Sequence, residues 1–547
     1  MTSSSGTPGS GRGDGAALDG LIDPENPAAT YVLEPEVVAP LAQRVVTSNE
    51  AGMHRSVLPS TGAPLAAVPV SSVEDVARAV ARARAAQPAW AARSVRERAA
   101  VLRRFGELVL ARQSDGLDLI QMESGKSRRS AFEEVADVAI LTRHYAQRGP
   151  RYLADRRAPG MLPVLTGTRV HRRPVGVVGV IAPWNYPLTL AFAEAVPALV
   201  AGNAVVLKPD PQTTLTALWG AELLEEAGLP ADLFLVVAGG GDVGAAVTDH
   251  VDHIAFTGST ATGRKVAARA GERLIGATLE LGGKNPLYVA ADADVRAAAR
   301  GAVRACFSNS GQLCVSIERL VLHEDVADAF LDEFVPLVRE MRLGAGLDYS
   351  ADMGSLTSQA QLDRVVAHVE DAIARGARVL AGGVHRADIG PWFYAPTVLD
   401  DVRDDAACAR EETFGPVVSV RRVASDDEAV EVMNDTEYGL NASVWTRDAA
   451  RGRRIAARVE AGTVNVNDGY SATWGSVGAP MGGFKASGLG RRHGREGIEA
   501  LTEAQTISVQ RGANQGLTLD TLYQLGGELP SKVLTSALDV MRRLRLP

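Results

Sequence analysis

The chain has 547 residues, 46% hydrophobic and 22% charged, a globular composition with room for roughly two to four packed units. A formal net charge of -8 with no long basic block excludes a broad nucleic-acid surface. The only three cysteines, Cys306, Cys314 and Cys408, form no CxxC pair, which excludes a disulfide framework and a structural zinc site and fits a reducing cytoplasm.

Residues 1–30 are Gly/Ser-rich and lack an apolar signal-peptide core, so a disordered tail is expected. No run of about 18 apolar residues occurs, and no membrane span is expected. Helical patterns dominate to about residue 150, with Ser72 as an N-cap ahead of "VEDVARAVARARAAQPAWAA". The period then changes. Residues 161–184 read as a hairpin around Gly167 followed by a buried strand, Val177–Ile181. A helix after Tyr186, a strand at 204–207, a helix after Thr213, a strand at 233–237 and a helix near Asp242 follow. Next come a strand in "HIAFTG", a helix in "ATGRKVAARAG" and a strand in "ATLEL". This alternation predicts a doubly wound parallel sheet, whose ligands lie beyond the carboxyl ends of its strands. A second alternating run, 286–485, predicts a second α/β unit. No fixed-period repeat is present.

The predicted strand ends carry the residues of chemical interest. "FTGSTATGRK" sets Gly258, Ser259 and Gly263 on a strand-to-helix turn. Its helix N-terminus suits a phosphate, and a plain capping turn is the other reading. Lys208 ends a strand and reads either as a ribose or phosphate ligand or as a solvated lysine. Glu280, in "LELGGKNP", is a candidate general base if buried, or a water-facing strand residue if not. Cys314 stands among Ser310, Gly311 and Ser316, where a nucleophilic thiol has access and room. Asn185, in "PWNYP", is a candidate donor to an oxyanion. Cys306, in "VRACFS", reads as a core thiol, and Cys408 as structural.

The ordered set "PWNYP", "KPD", "FTGSTATG", "LELGGKNP", "GQLC", "EETFGPV" and "GGFKASGLGRRHG" resembles the NAD(P)-dependent aldehyde dehydrogenase superfamily over about residues 35 to 510. "ACFSNSGQLCVSIER", "DMGSL" and "NDTEYGLNASVW" are most similar to actinobacterial NADP-dependent succinate-semialdehyde dehydrogenases. The resemblance implies an aldehyde dehydrogenase-like fold, with two doubly wound α/β domains and a small β oligomerisation arm. The dinucleotide-binding domain would comprise 31–151 and 175–282, the catalytic domain 283–485 and the arm 152–174 with 486–510. A C-terminal extension would span 511–547. It implies Cys314 as nucleophile, Glu280 as general base, and Asn185 with the Cys314 backbone N–H as oxyanion donors. For the cofactor it implies Trp184, Lys208, Asp210, Gly258, Ser259, Gly263, Leu281, Glu412 and Phe414. It further implies a cytoplasmic homodimer or dimer of dimers.

Two departures bear on specificity. Pro211 stands where many NAD-preferring relatives carry a glutamate for the ribose 2′-hydroxyl, so NADP is expected, with NAD admitted and Asp210 next door. Ala193 and Ser308 stand where two carboxylate-binding arginines are expected of a succinate-semialdehyde dehydrogenase. Tyr470 and Trp474 are expected to line the substrate entrance and suit an apolar or aromatic aldehyde. A catalytically silent dinucleotide-binding protein is the reading from another class. In the extension, Leu534, Leu538, Met541 and Leu544 recur near helical spacing beside three arginines. They read as a helix packed on the enzyme or its mate, or as a weak membrane-surface contact.

Overall fold

The computed structural model describes residue 33 and residues 35–543, apart from 49, 161–164, 512, 517 and 525. The expected tail at 1–30 and Leu544 lie outside the described residues.

Short runs of β-branched residues build the first sheet. Val177–Ile181 and Ala204–Lys208 are buried along their whole lengths, as strands covered on both faces must be. The sheet has six strands. Its parallel order runs Phe234–Val236, Ala204–Lys208, Val177–Ile181, His253–Thr257, Gly276–Glu280, and the antiparallel Gly488–Leu489 closes one edge. Strand order reverses between Val177–Ile181 and His253–Thr257, the switch point at which a doubly wound sheet opens a crevice. The helix Val73–Ala91 packs against these strands and against Gly241–His250. It starts at a full capping box, with Ser72 and Asp75 each satisfying the other's backbone N–H.

The second sheet has seven strands. From Thr397–Asp400 the parallel order is Val417–Val423, Ile317–His323, Asn285–Val289, Asn441–Trp445 and Thr463–Val466, with Arg378–Ala381 antiparallel at the other edge. It has its own apolar core around Phe307, Phe330 and Phe334. The chain passes from the first sheet to the second in four residues, between Glu280 and Asn285.

A third, three-stranded sheet joins Arg156–Ala158, Thr166–Pro174 and Thr502–Gln510. Gly167 lies inside the strand Thr166–Pro174 and not at a turn, because its partner is Val509 in the long pairing with Thr502–Gln510. The sequence reading also passed over a hairpin, Met53–Val57 with Pro64–Pro69, whose strands are too short to show a period. The helix Leu529–Arg543 leaves Leu529, Val533, Leu538 and Val540 exposed. No helix among the described residues is long and apolar enough to cross a membrane.

Candidate active site

The loop that carries Cys314 is wound against the usual hand. After the helix Val295–Phe307, Asn309 (φ 50, ψ 36) and Ser310 (φ 56, ψ 34) are left-handed, and Gly311 follows at φ 69. Two successive non-glycine residues in this region are costly and persist only where the surroundings hold them. Here Asn309 N donates to Ser130 Oγ (3.1 Å), Ser310 Oγ donates to Gly354 O (3.0 Å), and Gln312 Oε1 accepts from Thr357 N (3.0 Å). A Cβ at Gly311 would stand 2.1 Å from Gly415 O, so no larger residue fits. The reversal turns Cys314 out of the core to a half-buried position, whereas Cys306 stays 1% exposed inside the second core. Cys408 is also buried.

Cys314 lines a cavity of about 180 Å³ together with Trp184, Asn185, Glu280, Glu412 and Phe414. Asn185 follows the carboxyl end of Val177–Ile181, and its Nδ2 donates to Gln312 O (3.1 Å). Its own carbonyl accepts from Lys126 Nζ (2.6 Å) and Asn309 Nδ2 (3.0 Å). Lys126 is fully buried, pairs with Glu134 at 2.6 Å and sits 3.9 Å from the Tyr186 ring centroid. Glu134 spends its other oxygen on Leu188 N and Thr189 N, capping the helix Pro187–Phe192. A buried ion pair thus fixes the "PWNYP" turn. The sequence reading missed Lys126 and Glu134. Their signal was weak: two charges in a helical stretch, with Lys126 directly after the left-handed cap Gly125.

Glu280 ends its strand at 3% exposure, so of its two sequence readings the buried one holds. Burial pushes its carboxyl up to about 7, with the Arg492 guanidinium opposing and Glu194 adding to the shift. Arg492 is itself buried. Its Nε lies 3.0 Å from Glu194 Oε1 and 3.8 Å from Glu280 Oε1, and its Nη2 donates to Thr257 Oγ1 (2.8 Å). Glu280 Oε1 has no hydrogen-bond partner among the described residues. Burial pushes the Cys314 thiol up to about 12; Arg492 pulls it down, and Glu280 and Glu412 push it further up. Arg492 is therefore a nearby cation that favours the thiolate. Arg492 lies within "GGFKASGLGRRHG", where nothing local marks its part, because its partners Glu194 and Glu280 are far away in sequence.

The opposite wall is set by a second buried pair, Lys284 with Glu318. Glu318 accepts from Thr413 N and Phe414 N (both 2.9 Å) and holds the "EETFGPV" turn. Phe414 is left-handed (φ 55), and its ring meets Trp184 edge-on at 5.5 Å. Glu412 Oε1 accepts from Gly283 N (2.8 Å), and burial raises this carboxyl to about 7.

Lys208 is 7% exposed, and its ammonium makes no hydrogen bond or ion pair among the described residues. Burial lowers its pKa, and Asp210 and Asp242 partly offset the shift. An almost buried ammonium without a direct partner fits a sugar hydroxyl or phosphate. Asp210 Oδ1 is engaged at the start of the next turn, accepting from Gln212 N (3.0 Å). Ser259 is the N-cap of the helix Thr260–Glu272, with Oγ accepting from Thr262 N (3.3 Å), while Gly258 and Ser259 also line the cleft. The helix N-terminus therefore opens toward the cavity with its dipole directed at it. Gly263 and Leu281 meet each other: a Cβ at Gly263 would lie 2.4 Å from the Leu281 side chain. Gly263 is thus a close-packing glycine beneath Leu281, which itself lines the cleft. Unpaired lysine, helix N-terminus and buried Glu412 together fit a dinucleotide.

The expected substrate-side residues sit differently from the sequence reading. Tyr470 does not line an open entrance. It is 2% exposed, because its hydroxyl donates to Glu133 (3.1 Å) and the Arg304 guanidinium covers its ring. Trp474 is half-buried, donates from Nε1 to Asp137 (2.8 Å) and meets the Tyr186 ring at 5.1 Å. Ala193 is a core residue at 1% exposure, and Ser308 is half-buried at the start of the Cys314 turn.

Comparison with known proteins agrees with this geometry. The pattern described as "Aldehyde dehydrogenase family" matches residues 46–507. A Mycolicibacterium smegmatis protein provisionally named succinate-semialdehyde dehydrogenase, NADP(+), is 52% identical over 485 residues, covering 88% of this chain and 93% of its own. A Mycobacterium tuberculosis protein of the same provisional name, numbered 2, is 55% identical over 455 residues, covering 83% and 88%. Among solved structures, the succinate-semialdehyde dehydrogenase of Burkholderia pseudomallei superposes with a TM-score of 0.80 at 37% identity, covering 84% of this chain and 95% of that one. The chain belongs to the aldehyde dehydrogenase family.

Proposed function

We propose that this protein oxidises an aldehyde to a carboxylic acid with NADP, and NAD as a lesser alternative, and that its aldehyde is succinate semialdehyde. One observation carries the reading of the reaction: thiol, side-chain amide and raised carboxyl (Cys314, Asn185, Glu280) converge on the cavity that Trp184, Glu412 and Phe414 also line. The names of the mycobacterial relatives support the substrate and the cofactor. The absence of a carboxylate at Pro211 leaves room for a 2′-phosphate.

The residues divide the work as follows. Cys314 Sγ, as thiolate, adds to the aldehyde carbon and forms a thiohemiacetal. The developing oxyanion is met by Asn185 Nδ2 and the Cys314 N–H; Asn185 is held from behind by Lys126, so little reorganisation is needed. Lys208 and the Gly258–Ser259 turn would hold the adenosine and pyrophosphate parts of the dinucleotide, and Glu412 and Phe414 the nicotinamide end. The bound nicotinamide supplies the hydride acceptor. Glu280, poised near 7, then takes a proton from the water that hydrolyses the Cys314 thioester. A water-activating base in this place disfavours transfer to a coenzyme A thiol, and the intact trio disfavours a silent dinucleotide-binding protein.

A second reading, an apolar or aromatic aldehyde, rests on the ring cluster of Tyr186, Tyr470 and Trp474 and on Ala193 and Ser308. The strand Thr502–Gln510 is the outer strand of its sheet among the described residues, with Ile507 and Val509 exposed, which supports assembly of a homodimer or dimer of dimers through this arm; we place the protein in the cytoplasm. The test is absorbance at 340 nm with NADP and an aldehyde panel. Turnover of succinate semialdehyde well above benzaldehyde is expected. The reverse order favours the second reading, and no turnover by folded protein refutes the assignment.

A further inference from the structure

A second cavity, of about 340 Å³, opens beside the catalytic turn and shares no lining residue with the dinucleotide cleft. Ser308, the first residue of the turn that carries Cys314, lines it. Its floor is apolar, from Val303, Phe307 and Leu337, and its charged lip includes Arg300 and Arg304. Arg300, Arg304 and Ser308 are spaced four residues apart along the helix Val295–Phe307 and its exit, so they share one face. Neither guanidinium makes an ion pair or a hydrogen bond among the described residues.

The remaining charges are accounted for. Arg129 pairs with Asp352 at 3.0 Å. Glu133 accepts from the hydroxyls of both Tyr470 and Tyr186 (3.1 Å each), and Arg304 partly offsets the effect of its burial. Glu340 is exposed at the rim. The Arg304 guanidinium rests 5.5 Å from the Tyr470 ring centroid, which fixes it over the pocket with its N–H donors unspent. Tyr186, one of the two tyrosines tied to Glu133, is the neighbour of Asn185, so the pocket borders the wall of the oxyanion donor. An apolar floor with an unpaired guanidinium at one end suits a short hydrocarbon ending in a carboxylate.

Resting on the reading of the substrate as succinate semialdehyde, we propose that Arg304 is the residue that holds its distal carboxylate. Arg304 stands one helical turn before Ser308 and lines the same cavity, which would let the site manage with serine there and alanine at 193.

The test compares succinate semialdehyde with butanal, of equal chain length and no charge, in wild type, Arg304→Ala and Arg304→Lys. The readout is the ratio of their kcat/KM values. Arg304→Ala lowers the ratio by about tenfold to a hundredfold, as loss of a charge-assisted hydrogen bond would, mainly through KM for the acid aldehyde. Arg304→Lys keeps part of the preference. A purely structural role would slow both aldehydes together and leave the ratio alone, so a ratio within threefold of wild type in Arg304→Ala overturns the proposal. Arg304 is exposed but its guanidinium covers the Tyr470 ring, so a melting curve on each variant checks that the comparison is made on folded protein, and Arg304→Lys keeps part of that cover. Wild type that fails to prefer succinate semialdehyde over butanal overturns the substrate reading, and this inference with it. Wild type with the preference and Arg304→Ala with the same preference overturns this inference alone.

Discussion

The two parallel sheets meet the cleft with opposite ends. In the first, Asn185, Lys208, Gly258 and Glu280 lie at or just after the carboxyl ends of strands. In the second, Cys314 precedes Ile317–His323, and Glu412 and Phe414 precede Val417–Val423, so they lie at amino ends. The rule that ligands gather beyond carboxyl ends describes only half of this site. The first sheet supplies side chains displayed on regular strand exits. The second places its residues on turns that need left-handed positions, at Asn309, Ser310 and Phe414. Neutral hydrogen bonds hold the first two and the Lys284–Glu318 pair holds the third, whereas the Lys126–Glu134 pair on the first side braces a turn with no left-handed residue. Orientation is regular on one side and forced on the other.

The largest test of that contrast lies on the forced side. Cys314→Ala is expected to abolish aldehyde oxidation, by more than about a thousandfold, with NADP binding retained in a fluorescence titration. Cys306→Ala, eight residues away, is expected to cost about 1–2 kcal/mol of stability and leave kcat within a few-fold. Residual oxidation by Cys314→Ala at a sizeable fraction of wild type would break the comparison.

On the regular side, Asn185→Ala is expected to lower kcat by about 10²–10³-fold, read from initial rates, with cofactor affinity little changed. Glu280→Gln is expected to stall hydrolysis after a burst of NADPH and to erase the rise in rate with pH centred near 7. Its stability effect has a definite sign. The folded state raises this carboxyl from 4.5 to about 7, so folding favours the protonated form. The penalty is absent below about pH 4.5, grows through the interval and is complete above 7. Glu280→Gln should therefore stabilise the fold at pH 8, on the order of 1–3 kcal/mol, and have little effect at pH 4, compared by melting curves at the two pH values. An equal shift at both would show that the charge is not the cause.

The smallest effect is expected outside both sheets. Val509→Lys, on the exposed strand Thr502–Gln510, should lower the oligomeric mass measured by light scattering and change kcat by less than about twofold.

The first sheet was legible in the sequence nearly residue by residue. Val177–Ile181 and "HIAFTG" are apolar runs bounded by turn residues, and periodicity finds such strands. The thiol was legible by its small polar neighbours, and Glu280 by its position among leucines. What stayed hidden depends on contacts across long separations. Lys126 meets Asn185 59 residues on, and Arg492 meets Glu194 and Glu280 from the far end of the chain. No local pattern marks a buried ion pair. Tyr470 was misplaced for the same reason: its neighbours in sequence are loop-like, and its burial comes from Glu133 and Arg304.

The backward-wound turn at Asn309–Gly311 has a consequence for attempts to alter this enzyme. None of the three side chains needs to touch an aldehyde for the position to be intolerant. A bulky replacement for Asn309 or Ser310 would relax the backbone to the right-handed side and swing the sulfur away from Asn185. Such variants would keep a well-formed thiol and an intact cofactor site yet be inert. Their deficit would vanish only when the chain's handedness at this point was restored.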